Sequence, residues 1–331
     1  MNIQPVSLGT WTFAGGAQWG ETRDKESIAT VHAALACGVN LFDTAPAYGK
    51  GRSEQVLGTA LMGRRDQAYI ATKVAPGDLG PEKLKTSVDD SLARLRTDYI
   101  DLLQVHWPGR PSSYPEMIPV LEGLIRQGKV RHFGVCNHGE MDLTGLLDTL
   151  SAFHQDGAGP ITLIGNQLPY SLLTRAIEFG ITDLCRRKRI GILAYSPLAH
   201  GALGGKYHHA DDIPEGRKRS RLFHHRHGGS HGETGCEAQL NAALRGIGQI
   251  CRDTGLPMSV LALAWVVRRE PVRSVLCGAR TSRQMEQNVL AARTHLPPDV
   301  MERLDRATLP LKRRLGPNPD LWKSGKNSRF H

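Results

Sequence analysis

The chain has 331 residues, 40% of them hydrophobic and 22% charged, with a formal net charge of +10. These are globular proportions with enough apolar material for one large core, and no apolar run approaches the roughly 18 residues needed to span a membrane, which excludes disordered, fibrous and membrane-embedded classes. The basic clusters Arg186-Arg187-Lys188-Arg189, Arg217-Lys218-Arg219 and Lys312-Arg313-Arg314 stand without a helix-turn-helix, zinc-finger or aromatic stacking signature, so the charge is assigned to solvated surface and to steering of a phosphorylated small molecule, not to nucleic acid.

The start, Met1 to Val6, has no basic segment followed by an apolar one, hence no signal-peptide pattern, and a cytoplasmic protein is expected. From there, apolar runs of β type are expected as strands at 6–11, 40–44, 69–74, 99–106, 130–136, 161–167, 190–196 and 274–278. Between them, segments 26–36, 53–61, 81–96, 115–126, 141–150 and 181–187 carry the 3.6-residue apolar spacing of amphipathic helices. Alternation of near-continuous apolar strands with helices implies a parallel sheet covered on both faces, and eight such units close into a (β/α)8 barrel occupying 1–331 as a single domain. An open doubly wound sheet is the alternative. Against it, no strand is followed by G-x-G-x-x-G; Gly49-x-Gly51 comes nearest but has Glu54 in place of the third glycine.

The period lengthens after the seventh strand. Residues 197–236 are rich in Gly, His and Arg with little apolar periodicity, and a loop of that length on a barrel is expected to open onto the catalytic face. Helices at 237–253 and 258–269 precede the last strand, and the tail from Pro310 to His331 reads as an extended arm over the barrel mouth. The six cysteines, Cys37, Cys136, Cys185, Cys236, Cys251 and Cys277, lack Cys-x-x-Cys spacing, which argues for reduced thiols without disulfides or zinc. His208, His209, His224, His225, His227 and His231 raise a metal hypothesis, but histidines in a Gly/Arg loop do not make a fixed tetrahedral set, so no metal is assigned and the stretch is expected to act as a lid.

Four residues stand where a strand runs out: Asp43, Tyr48 just beyond it, Lys73 and His106. A free tyrosine, with a pKa near 10, gives up its proton poorly at neutral pH. An ammonium ~4 Å away stabilises the phenolate by up to ~4 kcal/mol at an effective dielectric of about 20. Lys73 can supply that ammonium, Asp43 can hold it charged, and His106 can donate a hydrogen bond to an oxygen that gains charge. The group is a proton-donating device suited to carbonyl chemistry.

In these residues and their surroundings the chain resembles the aldo-keto reductase family. The resemblance runs in order through Gly9-Thr10-Trp11, Asp43-Thr44-Ala45-x-x-Tyr48-Gly49, Thr72-Lys73, Gln104-x-His106-Trp107-Pro108, Gly134-Val135-Cys136-Asn137, Asn166-Gln167, Tyr195-Ser196-Pro197-Leu198 and Gly278-Ala279-Arg280-Thr281. It implies a barrel that binds NADP(H) without a Rossmann motif and reduces an aldehyde or ketone. Tyr48 is then the general acid, Lys73 and Asp43 its tuning pair, and His106 the group orienting the carbonyl. The resemblance further implies that Asn137 and Gln167 bind the nicotinamide carboxamide while Tyr195 stacks on the ring. Ser196, Leu198 and Gly201 pass under the pyrophosphate, with Lys206 on a phosphate. Gly278, Arg280, Gln284, Gln287 and Asn288 hold the adenosine 2′-phosphate and adenine. Trp11 and Asp43 border the cofactor as well, and Trp11, Tyr48, His106 and Trp107 line the site of a small carbonyl substrate, expected to be sugar-derived or otherwise hydroxylated. Cys136 departs from the serine of many relatives, and the N-terminal hairpin of many relatives is absent or very short. The same resemblance includes potassium-channel β subunits, so an NADP-binding redox sensor with little turnover is the alternative function.

Overall fold

The computed structural model describes residues 1–16, 20–155 and 161–331. Eight parallel strands close into a barrel: β1 (Val6–Gly9), β2 (Leu41–Asp43), β3 (Tyr69–Val74), β4 (Ile100–Val105), β5 (Val130–Cys136), β6 (Leu163–Pro169), β7 (Gly191–Tyr195) and β8 (Val272–Gly278), with β8 paired back to β1. The helices are α1 (Asp24–Ala36), α2 (Arg52–Ala60), α3 (Pro81–Leu95), α4 (Tyr114–Arg126), α5 (Glu140–Gln155), α6 (Ile181–Arg187), α7 (Glu237–Thr254), α8 (Met258–Val267), α9 (Ser282–Arg293) and α10 (Pro298–Leu315). Among the described residues no single helix is long and apolar enough to cross a membrane.

The two-residue strand period explains where the chemistry sits. Leu41, Ala71, Leu102, Leu193 and Leu276 pack together as a separate apolar layer inside the barrel, with Ile3 and Ile164 against it. Moving two residues toward the C-terminal end keeps a side chain on the same face. From Leu41, Ala71, Leu102 and Leu193 that step reaches Asp43, Lys73, Gln104 and Tyr195, so a polar layer lies above the apolar one at the mouth. The register brings Asp43 opposite Ala71 and Lys73 opposite Gln104, which sets the polar groups on neighbouring strands at similar heights. Outside the barrel, the opposite strand faces and the helices form a second, larger core.

Several boundaries differ from the sequence expectation, most by one to five residues, and three of them bear on the site. β1 stops at Gly9, and Trp11 opens a 3-10 turn, Trp11–Ala14. β4 stops at Val105, though the His106 N–H still donates to the Val74 carbonyl at 2.9 Å and keeps His106 in line with the strand. The arm expected from Pro310 begins only at 316, because α10 runs through Pro310 to Leu315. Pro310 is exposed, while Leu304, Leu311 and Leu315 on the same helix are buried. Their burial on either side of Pro310, at about 2 kcal/mol each, outweighs the roughly 3 kcal/mol of an internal proline.

The 197–236 loop contains only short 3-10 turns, and it is bound to the tail. The buried Arg221 guanidinium donates to the carbonyls of Leu315 and Asn318 at 2.8 Å and bridges to both Glu233 oxygens at 3.0 Å. Buried Asp320 then accepts from the Arg329 guanidinium at 2.8 and 2.9 Å and from the N–H groups of Trp322 and Lys323. Loop and tail form one lid.

Candidate active site

Lys73 lies at the centre. Its ammonium donates to Asp43 Oδ1 and Oδ2 at 2.8 and 2.9 Å, to the Thr44 carbonyl at 2.8 Å and to the Tyr48 hydroxyl at 3.2 Å. Asp43 and Lys73 are 3% and 1% exposed. Such a pair keeps its charges only by mutual attraction and added hydrogen bonds. Those bonds come from Gln104, whose Nε2 donates to Asp43 Oδ2 at 3.3 Å, and from Gln167, whose Nε2 donates to the same oxygen at 2.7 Å. Gln104 appeared in the sequence motif without a role. Its position two residues before His106, on the inward face of β4, is the signal that marks it.

The electrostatics correct one expectation. Burial favours loss of the Lys73 proton, but the Asp43 carboxylate and then Tyr48 reverse this and raise the affinity above the ordinary lysine value. Tyr48 is raised on balance: burial pushes it up to about 12, and the lowering by Lys73 offsets only part of that because Asp43 opposes it. Tyr48 therefore keeps its proton throughout the neutral range. His106 is driven down to about 3, by burial first and by Lys73 second, and stands neutral with its ring edge-on to Tyr48 at 5.9 Å. Trp11 stacks on Tyr48, also at 5.9 Å.

The residues predicted to hold a cofactor fall into three groups. In the first, Asn137 donates from Nδ2 to the His106 carbonyl at 2.9 Å and accepts the Tyr195 hydroxyl at 3.0 Å, while Gln167 lies beside Asp43. The Gln167 Nε2 is turned to the carboxylate, so its Oε1 is the end left to accept a bond. Cys136 is buried next to them, its thiol pushed well above the ordinary range by burial. In the second group, Ser196, Ala199, His200 and Gly201 all have positive φ, so the chain after β7 coils tightly; the half-buried Leu198 lies within this coil. A Cβ on Gly201 would stand 3.0 Å from Arg217, which places a guanidinium on that turn that the sequence reading missed. Lys206 is exposed farther along and joins none of these bonds.

The third group surrounds the start of α9. Thr281 caps the helix by accepting the Gln284 N–H at 3.3 Å, the Gln284 side chain accepts the Arg280 N–H at 2.8 Å, and buried Asn288 donates to the Gly278 carbonyl at 3.5 Å. Gln287 is exposed on the same helix, and the exposed Arg280 guanidinium donates to the Glu21 carbonyl at 3.0 Å. A helix start with an adjacent guanidinium suits a phosphate.

At the mouth, Trp107 is covered by the tail: the Arg329 guanidinium lies 3.6 Å from its ring centre and Phe330 meets its face edge-on at 5.8 Å. Trp322 of the tail faces His200 of the loop at 6.1 Å. No sequence signal singled out Arg329. Among the described residues no three His, Cys, Asp or Glu side chains gather as a metal site; His227 instead bonds Glu215 at 2.8 Å, and His224 stacks on His225.

The family model for the aldo/keto reductase family matches residues 5–308. Aldo-keto reductase YhdN of Bacillus subtilis is 39% identical over 211 residues, which span 61% of this chain and 60% of that protein. The NADH-specific methylglyoxal reductase of Escherichia coli is 31% identical over 321 residues, 89% of this chain and 92% of that protein. Among solved structures, an aldo-keto reductase of Klebsiella pneumoniae in complex with NADPH superposes with a TM-score of 0.71 at 27% identity, covering 99% of this chain and 95% of that one. With a closed eight-stranded barrel and a family match across most of its length, the chain belongs to the aldo/keto reductase family of oxidoreductases.

Proposed function

We propose that this chain reduces a small polar aldehyde or ketone to the alcohol with NADPH, and that Tyr48 delivers the proton. The observation that carries the reading is the Lys73 ammonium, buried and bonded at once to Asp43 and to the Tyr48 hydroxyl. NADPH supplies the hydride when bound. The residues present fit it: Gln167 Oε1 and the second lone pair of Asn137 Oδ1 suit a carboxamide, the Tyr195 ring suits stacking, and Arg280 with the start of α9 suits a 2′-phosphate.

Tyr48 is loaded with its proton at neutral pH. As negative charge develops on a substrate oxygen held between Tyr48 and His106, the Tyr48 O–H transfers its proton to that oxygen. The phenolate left behind faces the Lys73 ammonium, which is already in place and needs no reorganisation. Neutral His106 supplies an N–H to the same oxygen and fixes the carbonyl in line. Trp11 and Trp107 provide flat apolar walls, and the Arg329 guanidinium on Trp107 adds a polar rim. That mixture suits 2-oxoaldehydes and hydroxylated aldehydes, and the relative named methylglyoxal reductase points the same way.

The test is multiple-turnover oxidation of NADPH with sugar aldehydes, α-dicarbonyls and aromatic aldehydes, by wild type and Tyr48→Phe. Turnover by the wild type and a loss of ~100-fold or more in kcat by the variant, with NADPH affinity within a few-fold, is expected. A variant that keeps above a tenth of kcat removes Tyr48 as the acid. A wild type that binds NADPH without turnover is a redox sensor and not a reductase.

A further inference from the structure

Asn137 has a left-handed backbone, φ 61°, a conformation rare for residues with a Cβ although asparagine enters it more readily than most. The main chain of the next residue is bracketed on both sides. Asn166 on β6 spans the main chain of His138, donating from Nδ2 to its carbonyl at 2.9 Å and accepting its N–H at 3.4 Å. Asn166 and His138 are both fully buried.

The His138 ring is satisfied at both nitrogens. Nδ1 lies 2.9 Å from the Cys136 carbonyl, which only accepts, so Nδ1 carries the proton. Nε2 is then bare and accepts the Tyr114 hydroxyl at 2.8 Å. The Tyr114 oxygen in turn accepts the Gly109 N–H at 3.1 Å. Three residues before Gly109 is His106, whose carbonyl receives Asn137 Nδ2. The β4 loop that carries His106 and Trp107 is thus fastened at two points to the segment 136–138, once through Asn137 and once through Tyr114 and His138.

The geometry points to Tyr114, His138 and Asn166 as a positioning unit that aims Asn137 and the His106 loop at the dinucleotide and the carbonyl. None of the three needs to touch either ligand. They act by fixing main chain, and the assignment rests on Asn137 being a carboxamide ligand.

Two single changes and a cycle test it. Tyr114→Phe removes one oxygen, and Asn166→Ala removes the bracket on His138. NADPH affinity is measured by fluorescence quenching and folding by thermal melting, on the full chain. Each variant is expected to melt as a folded protein and to bind NADPH about tenfold more weakly, the scale of a misplaced binding group. Combined with Asn137→Ala, Asn166→Ala is expected to add almost nothing, because it works through that residue. Unchanged NADPH affinity in both single variants, with only the melting temperature lowered, leaves a merely structural role and overturns the unit. Losses that add in the double variant overturn it too. If Asn137→Ala itself binds NADPH like the wild type, the carboxamide assignment fails first, and that result is distinct from the other two.

Discussion

The strand ends and the lid are both buried and polar, yet they are built from different bonds. At the strand ends, Lys73, Gln104 and Gln167 from β3, β4 and β6 converge by side chain on the Asp43 carboxylate of β2. In the lid, Arg221 finds main-chain carbonyls at 315 and 318, and Asp320 accepts main-chain N–H groups as well as Arg329. A hub of side chains depends on the identity of every member. A seam with main-chain partners leans on fewer side chains, here the pairs Arg221–Glu233 and Asp320–Arg329.

Substitutions at the two anchors should separate these cases. Lys73→Met leaves the Asp43 carboxylate buried without its cation, and a loss of about 3–5 kcal/mol of stability together with activity is expected. Chemical denaturation measures the first and NADPH turnover the second; a normal unfolding midpoint breaks the comparison, because the hub then carries no stability. Arg221→Ala should cost about 2–3 kcal/mol, confined to the lid, with several charged hydrogen bonds lost at once. Amide exchange should show tail and loop opening together while the barrel strands stay protected. Global unfolding would place the lid within the barrel's own cooperative unit.

Arg280 belongs to neither region, since it is exposed and its guanidinium donates to the Glu21 carbonyl. Arg280→Ala should leave folding alone and weaken NADPH by about 1.5–3 kcal/mol, roughly ten- to a hundred-fold, while NADH is hardly affected. Equal losses for both dinucleotides, or a wild type that prefers NADH, assign the 2′-phosphate elsewhere. The smallest effect per step is titration. His106 and His138 are held down to about 3 and about 4, chiefly by burial, against an ordinary value of 6.5. The unfolded chain takes up those protons as pH falls below 6.5 and the folded site refuses them, so stability is complete above 6.5 and declines toward pH 4 by about 1.4 kcal/mol per pH unit for each histidine. Denaturation midpoints at pH 7, 6 and 5 check the slope, and a flat profile shows both rings to be solvated.

What was legible in the sequence follows the same division. The abrupt polar endings of apolar runs marked Asp43, Lys73 and His106, and the barrel needed no more than the alternation of strands and helices. Gln104 lies two residues before His106 and was passed over because it is not at the end of its run. Glu54 was read as the missing glycine of a nucleotide loop; it is buried, and its oxygens take Thr72 and Arg94 at 2.6 Å, bracing α2 against β3 beside Lys73. The loop as a lid and the tail as an arm over the mouth were expected, but the bonds that join them could not be read, because a bond from Arg221 to a carbonyl leaves no trace in which residue supplies that carbonyl. The Tyr48 proton affinity was misjudged for a different reason: distance to Lys73 was anticipated, but burial and the opposing Asp43 charge are collective properties of the folded site.

The way Arg221 grips the tail has an evolutionary corollary. Every residue offers the same carbonyl, so the two bonds from Arg221 to 315 and 318 do not depend on which side chains stand there. Position 322, which faces His200, is free to be exchanged without a new docking solution being found, whereas Arg329 is held by buried Asp320 and Phe330 by the core. Divergence of what the mouth accepts can therefore proceed one substitution at a time, on a mooring that does not change.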